Sequence, residues 1–161
     1  MKKITSILSL TLLALTSLTG CDEADCTLNN IVECKMAFYN WEGKAAAMKD
    51  TLSIYAESVE MPLLNRGIKV SSVGIPLSYF KDKDTLQLVA TGNGYLYEDW
   101  VEIEKENIEH FESLDCPVKM FHVLKGVKML THEFIDSIRI VEPRVEYYNG
   151  ENIKIYVRTD L

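Results

Sequence analysis

The chain predicts an all-β domain, a sandwich or a barrel, and three observations carry that prediction. Beyond the first twenty residues, apolar side chains alternate with polar ones instead of recurring every three or four positions, as in "IVECKMAFY" from Ile31. Turn residues interrupt the alternation roughly every ten residues, which is the spacing of short strands in a sandwich. One phrase also returns three times, as "DTLSIYA" from Asp50, "DTLQLVA" from Asp84 and "DSIRIVE" from Asp136. No segment after the first twenty residues has the length and apolar periodicity of a convincing helix.

The first element is a secretion signal over residues 1–20. Lys2 and Lys3 are followed by an apolar run, Ile4 to Leu18, that no acid interrupts. As a helix that run would rise about 22 Å, short of the roughly 30 Å hydrocarbon core of a bilayer. It ends in Leu18-Thr19-Gly20-Cys21, which resembles the lipobox of bacterial lipoproteins and implies a lipid on Cys21. Residues 21–29 then read as a lipidated acidic tether, with Asp22, Glu23 and Asp25 beside the anchor. Such acids resemble the export tag of Bacteroidota-type lipoproteins, and they equally suit a solvated linker. The expected location is the outer membrane, held by the lipid, with the cell surface as the destination if the tag operates.

Residues 30–161 form the single expected domain, long enough to bury a core without metal staples. Its first strand carries Val32, Cys34, Met36 and Phe38 on one face, so Cys34 reads as a small buried hydrophobe. In an oxidising compartment the remaining cysteines predict one bridge, Cys26–Cys116, with Cys34–Cys116 as the alternative. "GKAAAMKD", from Gly43, reads as a loop. The repeated phrase starts strands whose inward residues are Leu52 and Ile54, Leu86 and Leu88, Ile138 and Ile140. Its aspartate and hydroxyl suit local backbone bonding where a loop enters a strand. Further strands are expected at 67–73, 76–80, 95–105, 108–114, 117–124 and 126–131, and a last one carries Ile153, Ile155 and Val157 inward. Turns are expected at Asn65-Arg66-Gly67, Gly92-Asn93-Gly94, Glu106-Asn107, Gly126 and Asn149-Gly150. Pro62, Pro76, Pro117 and Pro143 fall where strands begin or end.

The succession of Cys26, "DTLSIYA", "LLNRGIKVSSVGIPLSY", "HFESLDC" and "FIDSIRIVEPRVEYYNGENIKIY" resembles an uncharacterised domain family of Bacteroidota lipoproteins. The resemblance implies an immunoglobulin-like or related antiparallel β-sandwich and favours the Cys26–Cys116 bridge. Its loop cysteine is commonly followed by glycine, where this chain has Pro117. It implies no activity.

Chemistry-bearing motifs are sparse. His110, His122 and His132 have no mutual ligand spacing, and "HEFID" lacks the second histidine of a zinc-protease helix, so no metal site is expected. "DKDT" from Asp82 lacks the glycine and distal glutamate of a calcium loop. "GNGYL" lacks the third glycine of a dinucleotide fingerprint, and no Gly-x-Ser-x-Gly elbow occurs. No nucleophile, acid–base pair or cofactor signature stands out, so neither enzymatic activity nor a cofactor is expected.

One stretch suits ligand binding. In "GYLYEDWVEIE", from Gly94, simple alternation puts Glu98, Trp100 and Glu102 on one face, where an indole could stack on a sugar ring between carboxylates. A bulge at Glu98-Asp99 would instead turn Trp100 into the core, and the core is where this tryptophan is expected. The repeated phrase also matches a short acceptor pattern for O-linked glycans at Thr51, Thr85 and Ser137, although strand punctuation already accounts for it. The chain has 24 acidic and 17 basic residues and a formal charge of −7. Removing the signal takes away two lysines and no acid, so the remainder is more negative still. It would repel a nucleic-acid backbone and gain nothing from anionic headgroups. The expected function is a lipid-anchored binding or interaction module for a glycan or envelope protein; the alternatives are a structural envelope lipoprotein without an external ligand and, last, a hydrolase without a recognisable motif.

Overall fold

The computed structural model describes residues 31–158 except 58, 93, 115, 148 and 149; the expected signal and tether, with Cys21 and Cys26, lie outside the described residues. The strands are β1 (Cys34–Tyr39), β2 (Thr51–Ala56), β3 (Leu64–Ile68), β4 (Ser72–Ile75), β5 (Lys83–Gly92), β6 (Tyr95–His110), β7 (Lys119–Met129), β8 (Ile135–Ile140), β9 (Arg144–Val145) and β10 (Ile153–Val157). They form a four-stranded sheet in the order β4-β1-β10-β8 and a six-stranded sheet in the order β3-β2-β5-β6-β7-β9. All pairings are antiparallel except β1 with β10. The fold is therefore an all-β sandwich.

Alternation builds the core. Cys34, Met36, Phe38, Ile153 and Ile155 from one sheet meet Leu52, Ile54, Leu86, Leu88, Val101 and Ile103 from the other, all of them buried. Ile138 and Ile140 pack against this core while staying half-exposed. Their strand is an edge, with no neighbour beyond it to cover them.

Several expected boundaries move. The anticipated turn at Glu106-Asn107 does not form, and β6 runs unbroken to His110. Asn107 points inward instead, its Nδ2 donating to the carbonyls of Tyr79 and Lys81 at 3.0 Å each. Gly126 lies within β7, where the register with β6 shifts between Glu104 and Lys105, so a bulge stands where a turn was expected. Asn65-Arg66-Gly67 belongs to β3, and Arg66 takes a left-handed φ of 49° there. A side chain at Gly67 would stand 2.7 Å from Val70 Cγ2, which explains the glycine. Residues 76–80 form a loop and not a strand. Gly94, with φ 86°, closes the expected β5–β6 hairpin.

The aspartates of the repeated phrase act at longer range than expected. Asp50 accepts the hydroxyl proton of Tyr95, and Asp84 accepts from Ser78 N at 3.1 Å and pairs with Lys105 at 3.3 Å. Asp50 thus ties the start of β6, and Asp84 the loop before its own strand.

The chain changes sheets between β7 and β8, between β8 and β9, and between β4 and β5, among other places. Backbone groups in such crossings have no ladder partner and must find others when buried. One buried polar side chain meets that need at each of these three crossings. Asp99 accepts from Thr131 Oγ1 (2.9 Å), Glu133 N (2.7 Å), Phe134 N (2.8 Å) and Ile135 N (2.7 Å). Asn152 accepts from Lys35 N at 2.9 Å and donates to the carbonyls of Glu142 (3.1 Å) and Arg144 (2.8 Å). Lys105 donates to the carbonyls of Ser78, at 2.7 Å, and Lys81, at 2.5 Å.

Asp99→Ala strands three N–H donors at once, two of them in buried bonds. The expected loss is about 3–5 kcal/mol in urea unfolding. A loss below about 1 kcal/mol would show that water replaces the carboxylate and that the crossing is not held by it.

Candidate functional site

The outer face of the six-stranded sheet is built by register. Leu52, Ile54, Leu86, Leu88, Val101 and Ile103 point inward, so the residues between them point outward. Tyr55 pairs with Gln87 and Gln87 with Trp100, which sets these three side chains in one row across β2, β5 and β6. Ser53, Val89 and Glu98 form the next row; Thr85, Glu102 and Lys128 form the row on the other side. Two strand spacings separate Tyr55 from Trp100, roughly 10 Å.

No bulge occurs at Glu98-Asp99. The register runs unbroken from Gly92–Tyr95 to Lys83–Glu104. Trp100 therefore lies on the outer, half-exposed face, and the expectation of a core tryptophan is overturned. Asp99 takes the inward position because the β7–β8 crossing needs its carboxylate. That crossing also fixes the platform: Trp100 N donates to Thr131 Oγ1 at 2.8 Å, and Leu130 N donates to Trp100 O at 2.8 Å. Glu98 Oε1 accepts the indole N–H at 2.6 Å, so the ring is held by its edge while its faces stay free of that bond. Glu98 N is in turn bound by the Glu133 carboxylate at 2.8 Å. Glu102 meets Lys83 at 3.3 Å in a solvated pair of little energetic weight. The face thus offers an oriented indole, a tyrosine, a glutamine amide between them and a carboxylate on either side.

The other anticipated residues are dispersed. His110 stacks on Phe121 at 4.2 Å, His122 is buried and His132 is exposed; among the described residues no His, Cys, Asp and Glu side chains are grouped to hold a metal. Thr51 Oγ1 donates to Thr91 O at 3.1 Å, Thr85 is half-buried and Ser137 is exposed. Cys34 is a buried free thiol, pushed up to about 12 by burial and secondarily by Asp84. That overturns the alternative Cys34–Cys116 bridge; the Cys26 half of the expected pair lies outside the described residues.

One buried polar cluster escaped the sequence reading. Lys105 Nζ is enclosed by Ser78 O, Lys81 O, Asn107 Oδ1 (3.0 Å) and Asp84 Oδ2. His122 Nδ1 lies 2.8 Å from Asn107 Oδ1, while its Nε2 has no hydrogen-bond partner among the described residues. Asn107 Nδ2 is spent on carbonyls, so Oδ1 is the acceptor and His122 is the neutral tautomer protonated at Nδ1. The Lys105 side chain is fully enclosed and saturated with oxygen acceptors, which makes the cluster a clasp under the 76–82 loop rather than reactive machinery. The only sequence hint was a lysine at an inward alternation position.

The class defined by these features is an all-β sandwich with an aromatic, acid-flanked sheet face. The chain belongs to a family of unknown function, DUF6452, whose profile matches residues 51–157. The match runs from β2 to β10 and includes the Tyr55–Gln87–Trp100 row and its Asp99 support. No curated protein and no solved structure matches the chain.

The cluster generates a pH dependence. Burial, then the Lys105 ammonium, lower His122 from 6.5 to about 4, with Asp84 opposing. The unfolded chain therefore binds this proton more tightly than the native state does. Stability is full above pH 6.5 and falls as the pH drops toward 4, by about 3 kcal/mol from this residue. His122→Gln should remove that component, so wild type and variant should converge in relative stability at low pH in urea titrations between pH 4 and 7. Parallel curves would mean that His122 titrates normally.

Proposed function

We propose that this chain is a lipid-anchored envelope lipoprotein whose sandwich is a binding module, with the outer face of the six-stranded sheet as the ligand surface and a glycan as the ligand. The observation that carries the reading is the row Tyr55–Gln87–Trp100, which places two outward aromatic rings across the sheet with Glu98 and Glu102 beside the indole. Pyranose rings present C–H faces that stack on aromatic rings, and their hydroxyls donate to carboxylates and amides. A separation of roughly 10 Å suits two aromatic contacts along one extended saccharide chain. Purified lipoprotein in detergent, tested on immobilised neutral polysaccharides, is expected to bind. Trp100→Ala should weaken binding at least tenfold while leaving the urea midpoint near that of wild type, and Trp100→Phe should retain most of it. Equal binding by Trp100→Ala, or none by the wild type, would reject the glycan face and leave the structural envelope role.

The anchoring part of the proposal rests on Leu18 to Cys21 and on the acids that follow. The lipid on Cys21 would confine the domain to the outer membrane and raise its effective concentration there. The free state of Cys34 supports Cys26–Cys116 as the bridge, because it removes the competing thiol. A single experiment addresses both points. Proteinase K on intact cells, with a periplasmic protein as leakage control, should release the domain, and unreduced mapping of the released material should join Cys26 to Cys116. Protection until lysis would place the domain inside the envelope, and alkylation of Cys26 would reject the bridge.

A further inference from the structure

The opposite face of the sandwich carries different chemistry. On the outer side of the four-stranded sheet, register aligns Tyr39, Tyr156 and Ser137 in one row and Ala37, Lys154 and Arg139 in the next. Tyr39 and Tyr156 pack with ring centroids 5.8 Å apart. Lys154 Nζ stands 4.2 Å from the Tyr39 centroid, and Arg139 Cζ stands 5.3 Å from that of Tyr156. A register shift at Tyr156/Val157 leaves both Asp136 and Ser137 exposed on the solvent side of β8.

Beside this face a tight loop presents Trp41, which is 72% exposed. The loop is braced by its own backbone: Gly43 N donates to Asn40 O, Asn40 N to Lys44 O, and Lys44 N to Asn40 Oδ1, each at 2.9 Å. Gly43 holds a φ of 76°, and Ala45 bridges back to Tyr39. A rigid turn that holds a large indole in water gains nothing for folding from that exposure. Trp41, Asp136, Ser137, Ile138, Arg139 and Tyr156 together line a concavity of about 380 Å³.

We propose that this concavity is a binding site for an acidic sugar, a pyranose bearing a carboxylate as in a uronic-acid polysaccharide. Three features select that class. The volume suits one or two sugar rings. Trp41 and Tyr156 supply aromatic surface for stacking, while Asp136 and Ser137 supply partners for hydroxyls. Arg139 supplies the charge: it is oriented by the Tyr156 ring and paired with no carboxylate among the described residues, so its planar donor fork is open to a sugar carboxylate. An overall acidic protein that keeps such a guanidinium among aromatic rings selects an anion there; the neighbouring Lys154 is already paired with Glu151 at 3.6 Å, so the selection rests on Arg139. The site lies on a different sheet from the Trp100 row and does not depend on it.

Calorimetric titration of the purified full-length lipoprotein in detergent decides the matter, using a uronic-acid disaccharide and its neutral carboxyl-reduced counterpart. The wild type should bind the acidic sugar at least tenfold more tightly, with the margin shrinking as salt rises. Arg139→Gln should abolish that preference. Trp41→Ala should weaken the acidic sugar, and Trp100→Ala should leave its affinity unchanged. Arg139 and Trp41 are exposed, so the unfolding midpoints of their variants should match that of wild type. Equal binding of the two sugars, no binding by the wild type, or an unchanged preference in Arg139→Gln would overturn the proposal. So would an added mass on Ser137 in the native protein, since a glycan there would fill the concavity.

Discussion

The carboxylate of Asp99 is the interaction on which both faces of this sandwich depend. It sits on β6, in the middle of the larger sheet, and collects three backbone N–H groups and a hydroxyl from the segment that carries the chain to β8 in the smaller sheet. An ionised oxygen pair accepting four donors at 2.7–2.9 Å is a strong arrangement, and burial strengthens each bond. The same contact governs two surfaces. Thr131, held by Asp99, in turn receives Trp100 N, and Ile135, held by Asp99, begins the strand that carries Asp136, Ser137 and Arg139.

Sheets satisfy their own backbones; the segments between sheets do not. A sandwich that switches sheets repeatedly must therefore supply partners where the crossings are buried, and at three of them this chain uses buried polar side chains of three chemical kinds. A carboxylate serves backbone N–H groups at the β7–β8 crossing, and an ammonium serves carbonyls at the β4–β5 crossing. At the β8–β9 crossing an amide serves both kinds at once. Each residue type follows from what the local backbone leaves unsatisfied. The cost of enclosing the Lys105 charge is offset by Asp84 and three further oxygens, and burial first, then that charge, keeps His122 neutral beside it.

This logic separates what was legible in the sequence from what was not. The fold class and the inward faces of β1, β2, β5 and β10 follow from alternation alone, because period two in side-chain polarity is period two in space. The clasps did not show, because Asp99 stands in a run of acids and Lys105 in "EKE", where each reads as a solvated charge. Their inward placement is decided by crossings remote in sequence. Trp100 was misassigned for the same reason: tryptophan favours the core in general, but here Asp99 had the stronger claim on the inward position. Glu106-Asn107 looked like a turn because asparagine is common in turns, whereas its amide is engaged by the loop 76–82 and His122. The basic aromatic face was hidden because its residues come from β1, β8, β10 and the loop after β1, and only the parallel pairing of β1 with β10 unites them.

The placement of the two candidate surfaces along the strands has a further consequence. β1 begins at Cys34, just after the point where the proposed tether would enter, and its far end leads into the Trp41 loop. Six strand residues separate these ends by about 20 Å. The Tyr95–Asp50 hydrogen bond joins the β5–β6 hairpin to the end of the segment that follows Trp41, so the hairpin also lies at the far end. Trp100 sits on the hairpin side of Lys105, whose clasp closes the near end through the 76–82 loop. Both aromatic surfaces therefore lean toward the end opposite the tether, on opposite sheets and with opposite charge. On the proposed lipid anchor that end would face away from the bilayer, where the proposed polysaccharide ligand would have room to approach either face.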